Sequence, residues 1–190
     1  MNIQGDTSRP SGSSRTTQIG ARRRARELCL ALIFAADVGR QTPGQLFAQA
    51  DGILQVLIEQ WELDHHEADR LKGEIEQYGR RLAEQYFAHA KQIDDLISRY
   101  SEGWALSRMP AVDRSILRMA LAEMQHMPGV PVGVTIDEAV ELAKEYGTEE
   151  SGKFINGILG AVARELAETS PAVQADEATD DRPEPTAAPC

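Results

Sequence analysis

The 190-residue sequence has only two cysteines, Cys29 inside an apolar helical stripe and Cys190 at the last position. That pair builds neither a disulfide framework nor a metal cluster, and a reducing, cytoplasmic setting is the expectation. No apolar run approaches the ~18 residues of a membrane span. The first twenty residues lack the apolar segment of a secretory signal. Motifs of catalysis are missing too: there is no glycine-rich phosphate loop, nucleophile elbow or H-E-x-x-H. GVPVGVT (129–135) holds two glycines but follows no strand, so it reads as a connector. His65, His66, His89 and His126 form no ligand set, because adjacent histidines point in different helix directions and no i, i+4 His/Glu pair with a further ligand occurs. Carboxylates are abundant and scattered, as on solvated helix faces. The expectation is a non-enzymatic chain with no metal, no cofactor and no membrane segment.

What remains is ordinary globular material, 42% apolar and 26% charged, long enough for one domain with tails. Residues 1–19 are rich in Ser, Thr, Gly and Gln and have little to bury, so disorder is expected. Residues 169–190 hold four prolines and five acids and read as a disordered acidic tail. Between them, residues 20–168 are helical almost throughout, without convincing period-2 strands or an internal repeat. A first helix over about 20–38 carries Ala25, Leu28, Cys29, Leu32, Ile33 and Ala36 on one stripe. Thr42-Pro43 starts a second helix to about Trp61. Asp64 caps a third to about His89, and a fourth spans about 90–101. A fifth runs over about 110–126. Thr135-x-x-Glu138 is a capping-box pattern for a sixth, stopped by a left-handed Gly147. Thr148 caps the seventh. This is an all-α bundle of about seven helices.

Charge is unevenly placed. Residues 1–26 hold six arginines and one aspartate, a local charge of +5, so the remainder carries −15 to reach the total of −10. Arg22, Arg23, Arg24 and Arg26 crowd the start of the first helix as a collar. Cations there oppose the helix dipole by a few tenths to about 1 kcal/mol each, and such a broken rule points to function. An anionic partner, chiefly phosphate, would turn both to advantage. Charge alone leaves a second reading open, a solubilising arm paired with the protein's own acids. Phe34 lies opposite the apolar stripe and reads either as a contact residue or as the second buried side of the helix, as Leu30 suggests. Asn156-Gly157 inside the last helix suggests a close helix–helix approach, since Gly costs about 1 kcal/mol there. Lys153 and Phe154 suit either a cation-plus-stacking platform or the packing of a helix end.

Three stretches together resemble the NusB family of transcription antitermination factors: ARRRAREL (21–28), MPAVDRSILRMALAEM (109–124) and VPVGVTIDEAVELAKEYGTEESGKFINGILGAV (130–162). IDDLISRYSEGWAL (93–106) is a weaker match. The resemblance spans about residues 20–168. It implies an all-α fold of two packed helical subdomains. It also implies a partner, the NusE small-subunit ribosomal protein, and joint binding of the boxA element of nascent ribosomal RNA within the transcription elongation complex. By position, it implies RNA contacts at Arg22, Arg23, Arg24, Arg26, Lys153 and Phe154, with Arg118 and Glu150 beside them. Phe34, Val38 and Asp113 would face the ribosomal protein. The sequence departs from the family pattern at Phe34 (often Tyr), Gly133 (commonly basic), Gly152 (usually His) and Asp137 (usually Asn). A helical protein–protein module without RNA binding is the alternative.

Overall fold

The computed structural model describes residues 13–101 and 103–168, and the expected tails beyond them lie outside the described residues. Six α-helices and one short 3-10 turn make up the chain in that range: α1 Ser13–Gly39, α2 Pro43–Gln60, α3 His65–Tyr100, the turn Leu106–Arg108, α4 Ala111–His126, α5 Val132–Tyr146 and α6 Ser151–Glu168. The fold class is all-α, as expected. The count drops from seven because the third and fourth expected helices run together as α3. The expected break survives as a kink at His89, whose φ and ψ are −119° and 17°. There the His89 ring puts Nδ1 2.9 Å from the carbonyl of Gln85, the i−4 group of its own helix, and stacks on His126 at 3.7 Å. A side chain reaching into the helical ladder is a regular cause of such a bend. Helix α1 starts upstream of the expected residue 20, since propagating a formed helix needs only one further hydrogen bond per residue.

Helix starts follow the local chemistry where side chains can reach. Thr42 and Gln45 form a reciprocal capping box on α2, and the Asp64 carboxylate accepts from the Glu67 amide at 2.8 Å. Such caps contribute about 1 kcal/mol each. Thr135 does not cap α5. That helix begins at Val132 after Pro131, and Thr135 is buried with its hydroxyl donating to Glu123 Oε2 at 2.6 Å. A buried carboxylate is the stronger attraction for that hydroxyl. Gly147 ends α5 in an extended rather than left-handed conformation (φ −97°). Its lack of a side chain is still required: a Cβ would sit 2.6 Å from the Ala143 carbonyl and 2.6 Å from Ser151 Cβ, at the head of α6.

The predicted stripe of α1 is buried against α3. The close approach expected at Gly157 occurs instead at Gly79 in α3, where a Cβ would lie 2.6 Å from the Ala25 carbonyl. Gly157 is exposed and faces open space. Helix α4 packs against α1, α3, α5 and α6 and is buried on every side from Ser115 to Glu123. It forms the seam between the α1–α3 and α4–α6 groups, and one continuous apolar core joins them.

Two ionic clusters pin that seam. Glu123 is 1% exposed. It accepts from Arg26 Nε at 2.9 Å, from the Tyr78 hydroxyl at 2.6 Å and from Thr135, so α1, α3 and α5 meet on one α4 carboxylate. Nearby, Arg118 binds Asp94 through two 2.8 Å hydrogen bonds and reaches Asp37 at 2.8 Å. Arg114 also donates to Asp37. Burial acts to raise the Asp37 carboxyl, but the hydrogen bonds from Arg114 and Arg118 outweigh it and hold it below its ordinary value.

Two expectations follow. Glu123→Ala strands Arg26 and two hydroxyls in the interior, and should cost about 3–5 kcal/mol as loss of one partner of a buried pair does, read as a fall in the urea midpoint. Asp37 has its folded pKa below the unfolded value of about 3.9, so its stabilisation is complete above that pH and is lost as pH falls through the folded value. Asp37→Asn should therefore be less stable than the native protein at neutral pH. It should also lose less stability as pH falls below about 4, since the native Asp37 takes up its proton below the ordinary carboxylate range. Thermal melts across that range check both.

Candidate nucleic-acid interface

Helix α1 sends its four arginines in different directions. Arg22 lies 3.4 Å from Glu74 of α3 and places its guanidinium 4.0 Å over the Tyr78 ring. Arg23 donates to Glu145 at the end of α5 at 2.8 Å and sits 3.7 Å from Glu27. Arg24 is 3.9 Å from Glu67 and 5.8 Å from the Trp61 ring. These three are partly exposed, as are their glutamates at positions 67, 74 and 145. Exposed pairs of this kind contribute roughly 0–1 kcal/mol and weaken with salt, so an incoming phosphate can replace the glutamate. Arg26 differs. Its side chain is 4% exposed, with Glu123 at 2.9 Å and Glu138 at 3.5 Å. The expected four-arginine collar is thus three arginines on the surface and one turned into the core, because position 26 falls on the seam with α4.

The same test divides the remaining expected residues. Lys153 is exposed and Phe154 half-buried in the first turn of α6, and Glu150 is exposed just before it. Arg118 belongs to the Asp37–Asp94 cluster and is 7% exposed. It is a structural ion-pair residue rather than a surface cation. On the far half of α1, Phe34 (36% exposed) and Val38 (58%) lie one turn apart. Phe34 borders an apolar crevice of about 220 Å³ with Leu30, Ala31, Leu57, Val112 and Tyr146. Leu30 is buried, so α1 is covered on two sides while Phe34 stays at the rim. Asp113 is 4% exposed and does not reach the surface beside them. It lies in the first turn of the enclosed helix α4, next in sequence to Val112, which lines the crevice.

Several residues escape the sequence reading. Trp104 is 44% exposed and packs edge-on against Phe154 with ring centroids 5.1 Å apart. A tight turn presents it: the Trp104 amide donates to the Ser101 carbonyl, the Ser101 hydroxyl donates to the Trp104 carbonyl, and Gly103 takes φ +80°. Its signal in the sequence is an aromatic residue outside any apolar stripe. At the end of α5, Glu145 receives Arg23, and Lys144 flanks Gly152 at the head of α6. On the other side of Arg22 an open groove of about 620 Å³ runs between α3 and the 127–131 loop. Arg81 lies on its α3 wall, and Val134 lines it from α5. Among the described residues no helix is long and apolar enough to cross a membrane.

Three comparisons bear on this arrangement. A profile described as the NusB family matches residues 23–164. The transcription antitermination protein NusB of Symbiobacterium thermophilum is 43% identical over 158 residues, which cover 83% of this chain and 97% of that protein. Among solved structures, NusB of T. maritima superposes with a TM-score of 0.60 at 38% identity, covering 76% of this chain and 91% of that one. A structure of antitermination factors NusB and NusE in complex with double-stranded RNA shares the fold at a TM-score of 0.60 and 24% identity, over 77% of this chain and 98% of that one. With the profile spanning most of the sequence, and a relative this similar along nearly its whole length, the chain belongs to the NusB family.

Proposed function

We propose that this chain is a non-enzymatic RNA-binding factor in transcription antitermination. It recognises the boxA-type single-stranded element of ribosomal RNA operons together with the NusE small-subunit ribosomal protein. The observation that carries the reading is the trio Arg22, Arg23 and Arg24, three partly exposed cations at the head of one helix, each with an exchangeable ion pair to an exposed glutamate and Arg23 also backed by the buried Glu27. Lys153 adds a fourth charge, and Trp104 with Phe154 adds an aromatic platform. Phosphates bind the cations and position the strand. Unpaired bases stack on exposed rings, which a duplex does not offer them. Phe34 and Val38 supply a separate apolar face for the ribosomal protein. One fold neighbour is assembled with NusE and double-stranded RNA, and this chain carries separate surfaces suited to a protein partner and to a nucleic acid.

Titration with a boxA-like RNA at several salt concentrations, with the ribosomal protein present, tests the RNA face. Each phosphate contact contributes about −0.7 to the slope of log K against log salt for single strands, so the trio accounts for roughly −2. Arg22→Ala, Arg23→Ala and Arg24→Ala should each flatten the slope by about 0.7 without loss of folding. Phe154→Ala and Trp104→Ala should each lose about 1–3 kcal/mol of stacking with little change in slope. Arg26→Ala should unfold the protein more readily, since it breaks a buried pair. Unchanged affinity and slope in the three surface variants would leave a helical protein–protein module in place of an RNA-binding one.

The partner face has its own test. Phe34→Ala should weaken the ribosomal-protein complex by about 1–3 kcal/mol, as an aromatic anchor does, and leave the melting temperature of the free protein nearly unchanged. A loss of fold stability of about 3 kcal/mol or more would make Phe34 a core residue instead.

A further inference from the structure

The open groove shares Arg22 with the arginine trio and otherwise uses residues that neither the trio nor the aromatic platform contains. Its α3 wall is one helical face, Glu74, Gln77, Tyr78 and Arg81, at i, i+3, i+4 and i+7. The opposite wall is the 127–131 loop and Val134, which is 45% exposed despite being apolar. Three arginines and two glutamates line the space. Both glutamates are committed, Glu74 to Arg22 and Glu138 to Arg26. Arg81 is exposed, and among the described residues no acid pairs with it. The groove therefore holds one surplus cation facing an apolar wall, which matches a phosphate joined to a base.

The entrance is organised as well. Tyr78 is held by its hydroxyl on the buried Glu123 carboxylate. Its ring backs the Arg22 guanidinium at 4.0 Å, and Glu74 holds the guanidinium edge. Arg22 is thus a flat cation fixed on one face, with its side chain 43% exposed. An arginine plane in that state is a stacking surface for an unpaired base. Arg81 lies three residues beyond Tyr78 on α3, about 4.5 Å further along the helix axis.

We infer that the groove is a further RNA subsite, continuous with the α1 arginines and resting on the RNA-binding reading above. One base stacks on Arg22, the following phosphate meets Arg81, and the next base lies against Val134 and the loop. Glu123 is its positioning residue, acting through Tyr78. The occupant is single-stranded RNA beyond the segment that the trio and the platform hold.

Full-length protein titrated with a core single-stranded boxA-like oligoribonucleotide, and with the same oligoribonucleotide extended at each end in turn, decides the matter. One extension should tighten binding severalfold and steepen the salt slope by about 0.7. Arg81→Ala should abolish that gain while binding the core RNA as the native protein does. Val134 methyl resonances should shift with the extended RNA and stay in place with the core. The subsite is overturned if neither extension tightens binding, or if the gain survives Arg81→Ala. Either result leaves the RNA-binding reading standing. A core RNA that fails to bind the native protein would remove that reading and the subsite together.

Discussion

One buried carboxylate sets the geometry of the arginine-bearing half of the molecule. Glu123 sits in the most enclosed helix and takes hydrogen bonds from α1, α3 and α5. Removing a carboxylate from water is expensive, and the charge is tolerated only because an arginine and two hydroxyls satisfy it. Those partners are not interchangeable with apolar contacts. A leucine at 123 would fill space without fixing the rotation of α1 or the position of the Tyr78 ring. The carboxylate fixes both, since directional hydrogen bonds specify orientation where dispersion does not. Arg26 holds the inward face of α1, so helical spacing carries Arg23 and Arg24 away from it, while Arg22, one turn before Arg26, stays on its side and lines the open groove with it.

The bundle was legible in the sequence because its signals are local. Apolar spacing placed each buried stripe, and Thr42 and Asp64 marked helix starts through side chains that reach their own backbone. The misses share one cause: long-range partners decided them. Thr135 matches a capping box, but a carboxylate twelve residues upstream claims its hydroxyl. Asn156-Gly157 suggests close packing, yet Gly79 is the glycine that α1 presses against. The expected break near residue 89 is a kink inside one helix, and there His89 also stacks on His126 from another helix.

The same division runs through the site. Four arginines in five residues announce a charged surface, and the resemblance to the family gives it a ligand class. Neither says that Arg26 and Arg118 lie buried in ion pairs, because that depends on Glu123, Asp37 and Asp94, far away along the chain. Trp104 and Arg81 were equally hidden, since helical periodicity ranks residues by burial and is silent about which exposed ones share a groove.

The proposed RNA binding by an acidic chain has to solve a problem of range. The net charge of −10 repels a polyanion, but surface charges are screened beyond about 8 Å at physiological salt. Within that distance the local balance governs. Around α1 it is near neutral, because glutamates at 67, 74 and 145 already face the arginines. Those glutamates keep the cations ordered in the free protein, and an RNA must displace them to bind. Stray phosphate contacts then yield little, since each replaces an existing pair. A strand that also stacks on Trp104 and Phe154 gains what displacement alone does not give. In the proposed function, selectivity for unpaired RNA follows from weak self-pairing combined with exposed rings, with no requirement for a strongly basic surface.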